Sequence, residues 1–214
     1  MKTILYIDGF NLYYGALRKT PHRWLNPLAL AAVLFPKNHI VGIKYCSAKI
    51  DPAIGDPNAL TRQMTYWRAL RTLPNLTIVE GQFRTRKKRA KVVHPPPPTI
   101  EIYQNEEKGS DVNLASHLLL DAFTDQFEVA IVISGDSDLI TPIRMVRDTV
   151  GKPIGVLNPQ RLSGPNKPKP RQNAGLKSAA TFYKNGISWN QLAQSTFSAT
   201  LTDAQGTFNK PASW

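Results

Sequence analysis

Five short apolar runs recur along the chain, and the spacing between them admits few folds. They are TILYI (3–7), IVGIKYC (40–46), LTIVEGQF (76–83), VAIVIS (129–134) and PIGVLN (153–158). Near-continuous hydrophobic runs of strand length belong in a parallel sheet that is covered on both faces. The intervening segments supply the cover. Asn26-Pro27 and Asp56-Pro57 each set a capping side chain before a proline at the first helical position. From Ser110 to Phe123, Leu114, Ala115, Leu118, Leu119 and Ala122 share one helical face. Strands alternating with helices predict an α/β fold, a three-layer α/β/α sandwich about a mainly parallel sheet with right-handed crossovers.

Two segments interrupt this rhythm. Residues 84–104 read RTRKKRAKVVHPPPPTIEIYQ, with six basic residues in 84–91 and four prolines at 95–98. They predict an insertion, a basic hairpin or flap with a stiff Pro-rich stretch. The second, SGPNKPKPRQNAG (163–175), is a basic loop followed by a predicted last helix near Leu176–Tyr183. The reading is one domain over residues 1–197 and a mobile tail over 198–214.

Charge narrows the partners. Twenty-seven Lys and Arg against fifteen Asp and Glu give a net +12 in 214 residues, which favours polyanions and nucleic acid above all. Cys46 is the only cysteine, so one chain has neither a disulfide framework nor a multi-cysteine zinc site. MKTILYIDGF is too short and too polar for a signal peptide, and no run approaches the ~18 apolar residues of a membrane span. The expectation is a soluble, cytoplasmic protein without a membrane partner.

Acids gather where the strands end. Asp8 directly follows the first strand; Asp136 and Asp138 follow the fourth. Open α/β sheets bind ligands beyond the carboxyl ends of their strands, where the strand order reverses, so these three converge if strands one and four are neighbours. Asp111 heads the apolar stripe of its helix and faces the sheet. Taken singly, Asp111 and Asp136 also suit a helix N-terminus through charge and dipole, and Asp138 suits a cap. As a set they repel: unit charges ~4 Å apart at an effective dielectric near 20 cost ~4 kcal/mol. A divalent cation removes that cost. Oxygen ligands without Cys or His favour Mg²⁺ or Mn²⁺ over zinc.

YIDGFNLYYG, EEKGSDVNLASHLLLDA and VAIVISGDSDLITPIRMVRDTVGKPIGV together resemble the signature blocks of the NYN domain family, LabA-like members of the PIN-like nuclease superfamily. The resemblance runs over roughly residues 2–195. It implies a PIN-like fold and a metal-dependent ribonuclease site with Asp8, Asp111, Asp136 and Asp138 as its acids. It makes Asn11 their polar companion and sets Ser134 and Ser137 beside the metal loop. It also implies products with 5′-phosphate and 3′-hydroxyl ends. Many relatives carry a Cys-rich segment where this chain has its basic insertion, so substrate contacts there do not carry over.

The expected mechanism is in-line attack on phosphorus by a water made acidic by one or two metal ions. Asp8, Asp111 and Asp136 are the expected ligands, and Asp138 is a ligand or orients the water. Arg84, Arg86, Lys87, Lys88, Arg89 and Lys91 form a basic strip for phosphates, with Lys167, Lys169 and Arg171 as a weaker second strip and Lys108 near the scissile group. Phe10, Tyr13 and Tyr14 share a helical face and suit base stacking or core packing. Three alternatives stand beside this reading: a non-catalytic RNA-binding module, a nuclease acting on DNA, and a small-substrate phosphohydrolase. The last lacks the second acid two residues after Asp8. Homo-oligomerisation is left open.

Overall fold

The computed structural model describes residues 1–51, 56–94, 96–162 and 170–214, apart from the side chains of Arg84 and Asn105. Strands β1 (Lys2–Asp8), β2 (His39–Ser47) and β3 (Leu76–Glu80) cover the first three apolar runs. The third ends at Gly81, and the chain then leaves the sheet as β4 (Gln82–Lys91) and returns as β5 (Thr99–Lys108). Strands β6 (Val129–Ile133), β7 (Ile154–Leu157) and β8 (Phe182–Lys184) complete the sheet. Its order is β3-β2-β1-β6-β7-β8, and every pair is parallel.

Helices cover both faces. Helix α1 (Gly9–Leu12) runs into a π turn (Tyr13–Leu17), and α2 (Pro27–Leu34) and α3 (Ala59–Leu70) follow. Helix α4 (Ser110–Phe123) leads into β6, α5 (Ile140–Arg144) continues as a π turn (Met145–Val150), and α6 (Ala174–Ala179) and α7 (Trp189–Ala193) close the set. Side chains alternate across each strand, so β1 feeds two cores. Leu5 and Ile7 join Tyr45, Ile131, Leu30 and Trp67 on the side of α2 and α3. Ile4 and Tyr6 join Cys46, Val132, Leu114 and Leu118 on the side of α4 and α5. The parallel α/β/α expectation is met, with helices on both faces and no closed barrel.

Asn26 caps α2 as its sequence predicts, accepting from the amides of Leu28 and Ala29. Asp56 does not cap α3. That helix starts two residues later, because Asp56 accepts from the Asn58 amide in a turn and pairs with Arg62. The last predicted helix stops at Ala179: Ala180 turns extended, and Phe182–Lys184 pairs with β7 as a sixth sheet strand. Residues 198–214 also differ from expectation. They hold a hairpin, β9 (Thr200–Asp203) with β10 (Gly206–Asn209), pinned by a two-pronged Arg68–Asp203 pair and by Phe208 and Trp214 against Trp24. Among the described residues, no helix is long and apolar enough to cross a membrane.

Candidate functional site

The strand order reverses between β1 and β6, and Ile7 pairs with Ile133 there. The residues that follow, Asp8 and Ser134, are therefore side by side at the carboxyl edge. Asp8 is 3% exposed, and its carboxylate is held at three points. Oδ1 accepts from the Asn11 amide at 2.9 Å; Oδ2 accepts from Asn11 Nδ2 at 2.5 Å and Ser134 Oγ at 3.0 Å. Ser134 Oγ in turn accepts from the Asp136 amide at 3.1 Å, and Asn11 Oδ1 accepts from the Gly135 amide at 3.3 Å. Two side chains thus tie the β1 acid to the β6 loop.

The cap expected at Asp138 falls instead to Asp136, and Asp8 is a cap as well. Asp8 caps α1, and Asp136 caps the short 3₁₀ turn Ser137–Leu139 by accepting from the Asp138 amide at 2.9 Å. Asp138 sits inside that turn and does not cap it. Ser137 and Asp138 are exposed, so these two face solvent while Asp8 faces the protein.

Asp111 lies in the first turn of α4. A helix N-terminus favours a carboxylate, yet the Asp111 pKa is pushed up to about 7. Burial contributes most, followed by the charges of Asp8, Asp136, Glu107 and Asp138. Burial also raises Asp8, with Asp136 adding to it, against the lowering pull of its hydrogen bonds. Desolvation and repulsion win over the dipole. Asp111 is thus within electrostatic reach of the other three predicted acids, and Asp8 of Asp136.

Glu107 is a fifth acid that the sequence reading missed. Its Oε1 accepts from the Ser110 amide at 3.1 Å, and a side chain at Gly81 would come within 2.8 Å of it. The local signal was a Glu three residues before a helix's first Ser, but its place at the rim depends on β5 pairing with β4. Ser110 Oγ is buried there and has no hydrogen-bond partner among the described residues.

The set consists of hard oxygen donors, which is the chemistry Mg²⁺ and Mn²⁺ take, and the mutual repulsion is what such an ion relieves. The residues fit a divalent metal in donor type. Among the described residues, no three acids, histidines or cysteines stand close enough to hold one ion as placed, so the carboxylates would have to rotate onto it.

The basic strip is β4 of a two-stranded arm that pairs only with β5. The arm extends beyond the predicted 84–104, from Gln82 to Lys108, and its root reaches the acids. Arg86, Lys87, Lys88, Arg89 and Lys91 are exposed. Arg89 is opposite Glu101 in register, and Lys87 lies over the Tyr103 ring, so part of the charge is answered within the arm. Lys108 is exposed, with Nζ 3.6 Å from Glu106. Lys167 and Lys169 lie outside the described residues; Arg171 is exposed.

The aromatic residues of the first block divide. Tyr13 packs against the core, Tyr14 is 59% exposed, and Phe10 stacks on Tyr14 and touches Phe83 at the arm's root. All three line a cavity of about 450 Å³ between α1 and α3, which also reaches Gly9, Tyr45, Trp67 and Trp214.

The profile of the NYN domain family matches residues 2–182. The chain is also 31% identical, over 241 aligned positions, to 6-hydroxy-3-succinoylpyridine 3-monooxygenase HspA of Pseudomonas putida (strain DSM 28022 / S16). That match covers 100% of this chain and 75% of the relative. Among solved structures, a protein of unknown function from Vibrio parahaemolyticus RIMD 2210633 is similar with a TM-score of 0.53 and 15% identity. It covers 92% of this chain and 96% of that one, a likeness of fold.

Proposed function

The chain belongs to the NYN domain family, a nuclease family, and on that footing we propose that it hydrolyses RNA phosphodiester bonds at the acidic rim of β1 and β6. The observation that carries the reading is the tie of Asp8 to the Asp136 loop through Ser134 and Asn11, with Asp111 near enough for their charges to help raise its pKa. Carboxylates that repel across three separate chain segments are waiting for positive charge. Asp8, Asp111 and Asp136 are the proposed ligands of Mg²⁺ or Mn²⁺, and Asp138 is the fourth or the group that orients water. A bound ion would neutralise a phosphate oxygen and lower the pKa of the attacking water.

The protein's own residues do the rest. Asn11 and Ser134 fix the Asp8 carboxylate through their hydrogen bonds, so its remaining lone pair has a set direction. Asp138, exposed on its turn, reaches solvent where a water enters. The arm and Lys108 supply cations along the path of the phosphates.

The test is cleavage of single-stranded and structured RNA, with matching DNA, by the wild type and Asp136→Asn, with Mg²⁺ and Mn²⁺ tested separately. The expected result is loss of cutting by roughly two orders of magnitude or more with RNA binding retained. Equal cutting by both proteins removes Asp136 from the mechanism, and equal cutting of DNA widens the substrate.

A second reading follows the P. putida relative, whose name describes oxygenation of a substituted pyridine. The aromatic cavity beside α1 favours it, since a flat ring fits such walls. Incubation of this chain with 6-hydroxy-3-succinoylpyridine, a reductant and air separates the two. Product formation without RNA cleavage overturns the nuclease reading.

A further inference from the structure

The cavity between α1 and α3 is not used by the nuclease chemistry, and its composition is specific. Its about 450 Å³ lies within the range of small-molecule sites. Aromatic rings form much of the wall. Tyr45, 5% exposed, and Trp67, 1% exposed, form a rigid floor, and Phe10, Tyr13 and Trp214 stand around it. Tyr66 is held in place by its hydroxyl, which donates to the Leu25 carbonyl at 2.8 Å. Flat walls fixed in this way select flat ligands.

The charged groups of the wall have one dominant sign. Arg18, Arg23 and Arg62 line the cavity with a single acid, Asp56, which Arg62 already engages. Arg23 uses Nε and one terminal nitrogen on the carbonyls of Thr20 and Ser213, which leaves donors over. The Arg18 guanidinium lies over the Tyr14 ring and makes no hydrogen bond among the described residues.

One polar atom is left waiting. The Tyr45 hydroxyl lines the cavity, and it has no hydrogen-bond partner among the described residues. Its neighbour is apolar: the ring tip lies so close to Gly9 that a Cβ there would meet it at 2.8 Å. A phenolic O–H both donates and accepts, so a ligand oxygen or ring nitrogen in the cavity can pair with it.

We propose that this cavity binds a planar aromatic anion, with the ring between the aromatic walls, the Tyr45 hydroxyl on a ring heteroatom or substituent, and the anionic group on Arg18 and Arg23. Two sources share that chemistry, a free aromatic carboxylate and a nucleotide. The cavity opens on the α2–α3 side of the sheet, opposite α4, so the proposal stands whether or not the acidic rim cuts RNA.

The test is calorimetric titration of the full chain with 4-hydroxybenzoate, nicotinate, uridine 5′-monophosphate and adenosine 5′-monophosphate. 4-Hydroxybenzamide and cyclohexanecarboxylate control for charge and planarity. The expected result is that at least one planar anion binds about tenfold or more tightly than both controls. Tyr45→Phe and the exposed-site variant Arg18→Gln should each weaken it about fivefold, whereas Lys37→Ala, an exposed position away from the cavity, should not. Binding of the carboxylates alone identifies a small acid, and binding of the nucleotides alone identifies an RNA component; either supports the site. Absence of binding by every probe, or affinity unchanged in both variants, overturns it. Arg18 is on the surface, so its variant decides the matter if Tyr45→Phe fails to fold.

Discussion

Ser134 Oγ donates to one acid and accepts from the backbone of another, so a single hydroxyl sets the spacing of Asp8 and Asp136. Ser134→Ala is expected to lower cleavage about 10- to 100-fold. It should cost only about 1–2 kcal/mol in urea unfolding, because one buried hydrogen-bonding group is lost. Asp111 offers a pH test. Its folded pKa, about 7, lies above the ~3.9 of an unfolded aspartate, so folding opposes its ionisation. In metal-free protein this group's penalty is absent below ~4 and complete above about 7, so thermal stability should fall as pH rises through that window. Saturating Mn²⁺ should flatten the profile at its upper end, and a shallower metal-free fall in Asp111→Asn, with Asp8 still contributing, would confirm the assignment. At this scale the sequence was most readable for residues that abut a strand. Asp8 and Asp136 follow apolar runs, and parallel pairing brings their loops together. Glu107 was not readable, since nothing within EEKGSD says which strand it opposes.

Elements defined by their own pattern came out as expected, and elements defined by a partner did not. Helix α4 runs over the predicted 110–123 because its apolar spacing needs only the sheet beneath it. The start of α3 moved because Arg62, one turn along, competes for Asp56. Strand β8 has only three residues, too few for periodicity, and exists because β7 offers an open edge. The arm is the clearest case. A basic run was visible, but its pairing with TIEIYQNEEK, which sets Glu101 against Arg89, follows from register. The arm's proposed role predicts a salt effect. Replacing Lys87, Lys88 and Arg89 by alanine should weaken single-stranded RNA binding and reduce the slope of log K against log salt by about 2, at ~0.7 per lost phosphate contact. An unchanged slope would show that these side chains do not meet phosphate. The circular dichroism of the folded body should stay as in the wild type, because the arm's strands pair with each other and not with the sheet.

Across the whole molecule, one sheet divides two cores that do different work. The α4–α5 side backs the acidic rim; the α2–α3 side backs the aromatic cavity. Leu118→Ala, at a fully buried position of the first, should cost about 2–5 kcal/mol and lower the melting temperature without a change in products. Strand order was inferable once the acids were assumed to meet, since only β1 beside β6 brings Asp8 next to Ser134. The hairpin β9–β10 was not, because its docking depends on Trp24, far away in the chain. The junction of the two sides is one residue. Gly9 follows Asp8 and has the Tyr45 ring pressed against its backbone. A push on that ring is therefore felt by the peptide that aims the Asp8 carboxylate. Linkage would make such mechanical communication reciprocal: a guest that shifted Tyr45 would alter the affinity of the proposed cation at the rim, and that cation would alter the guest's affinity by the same factor.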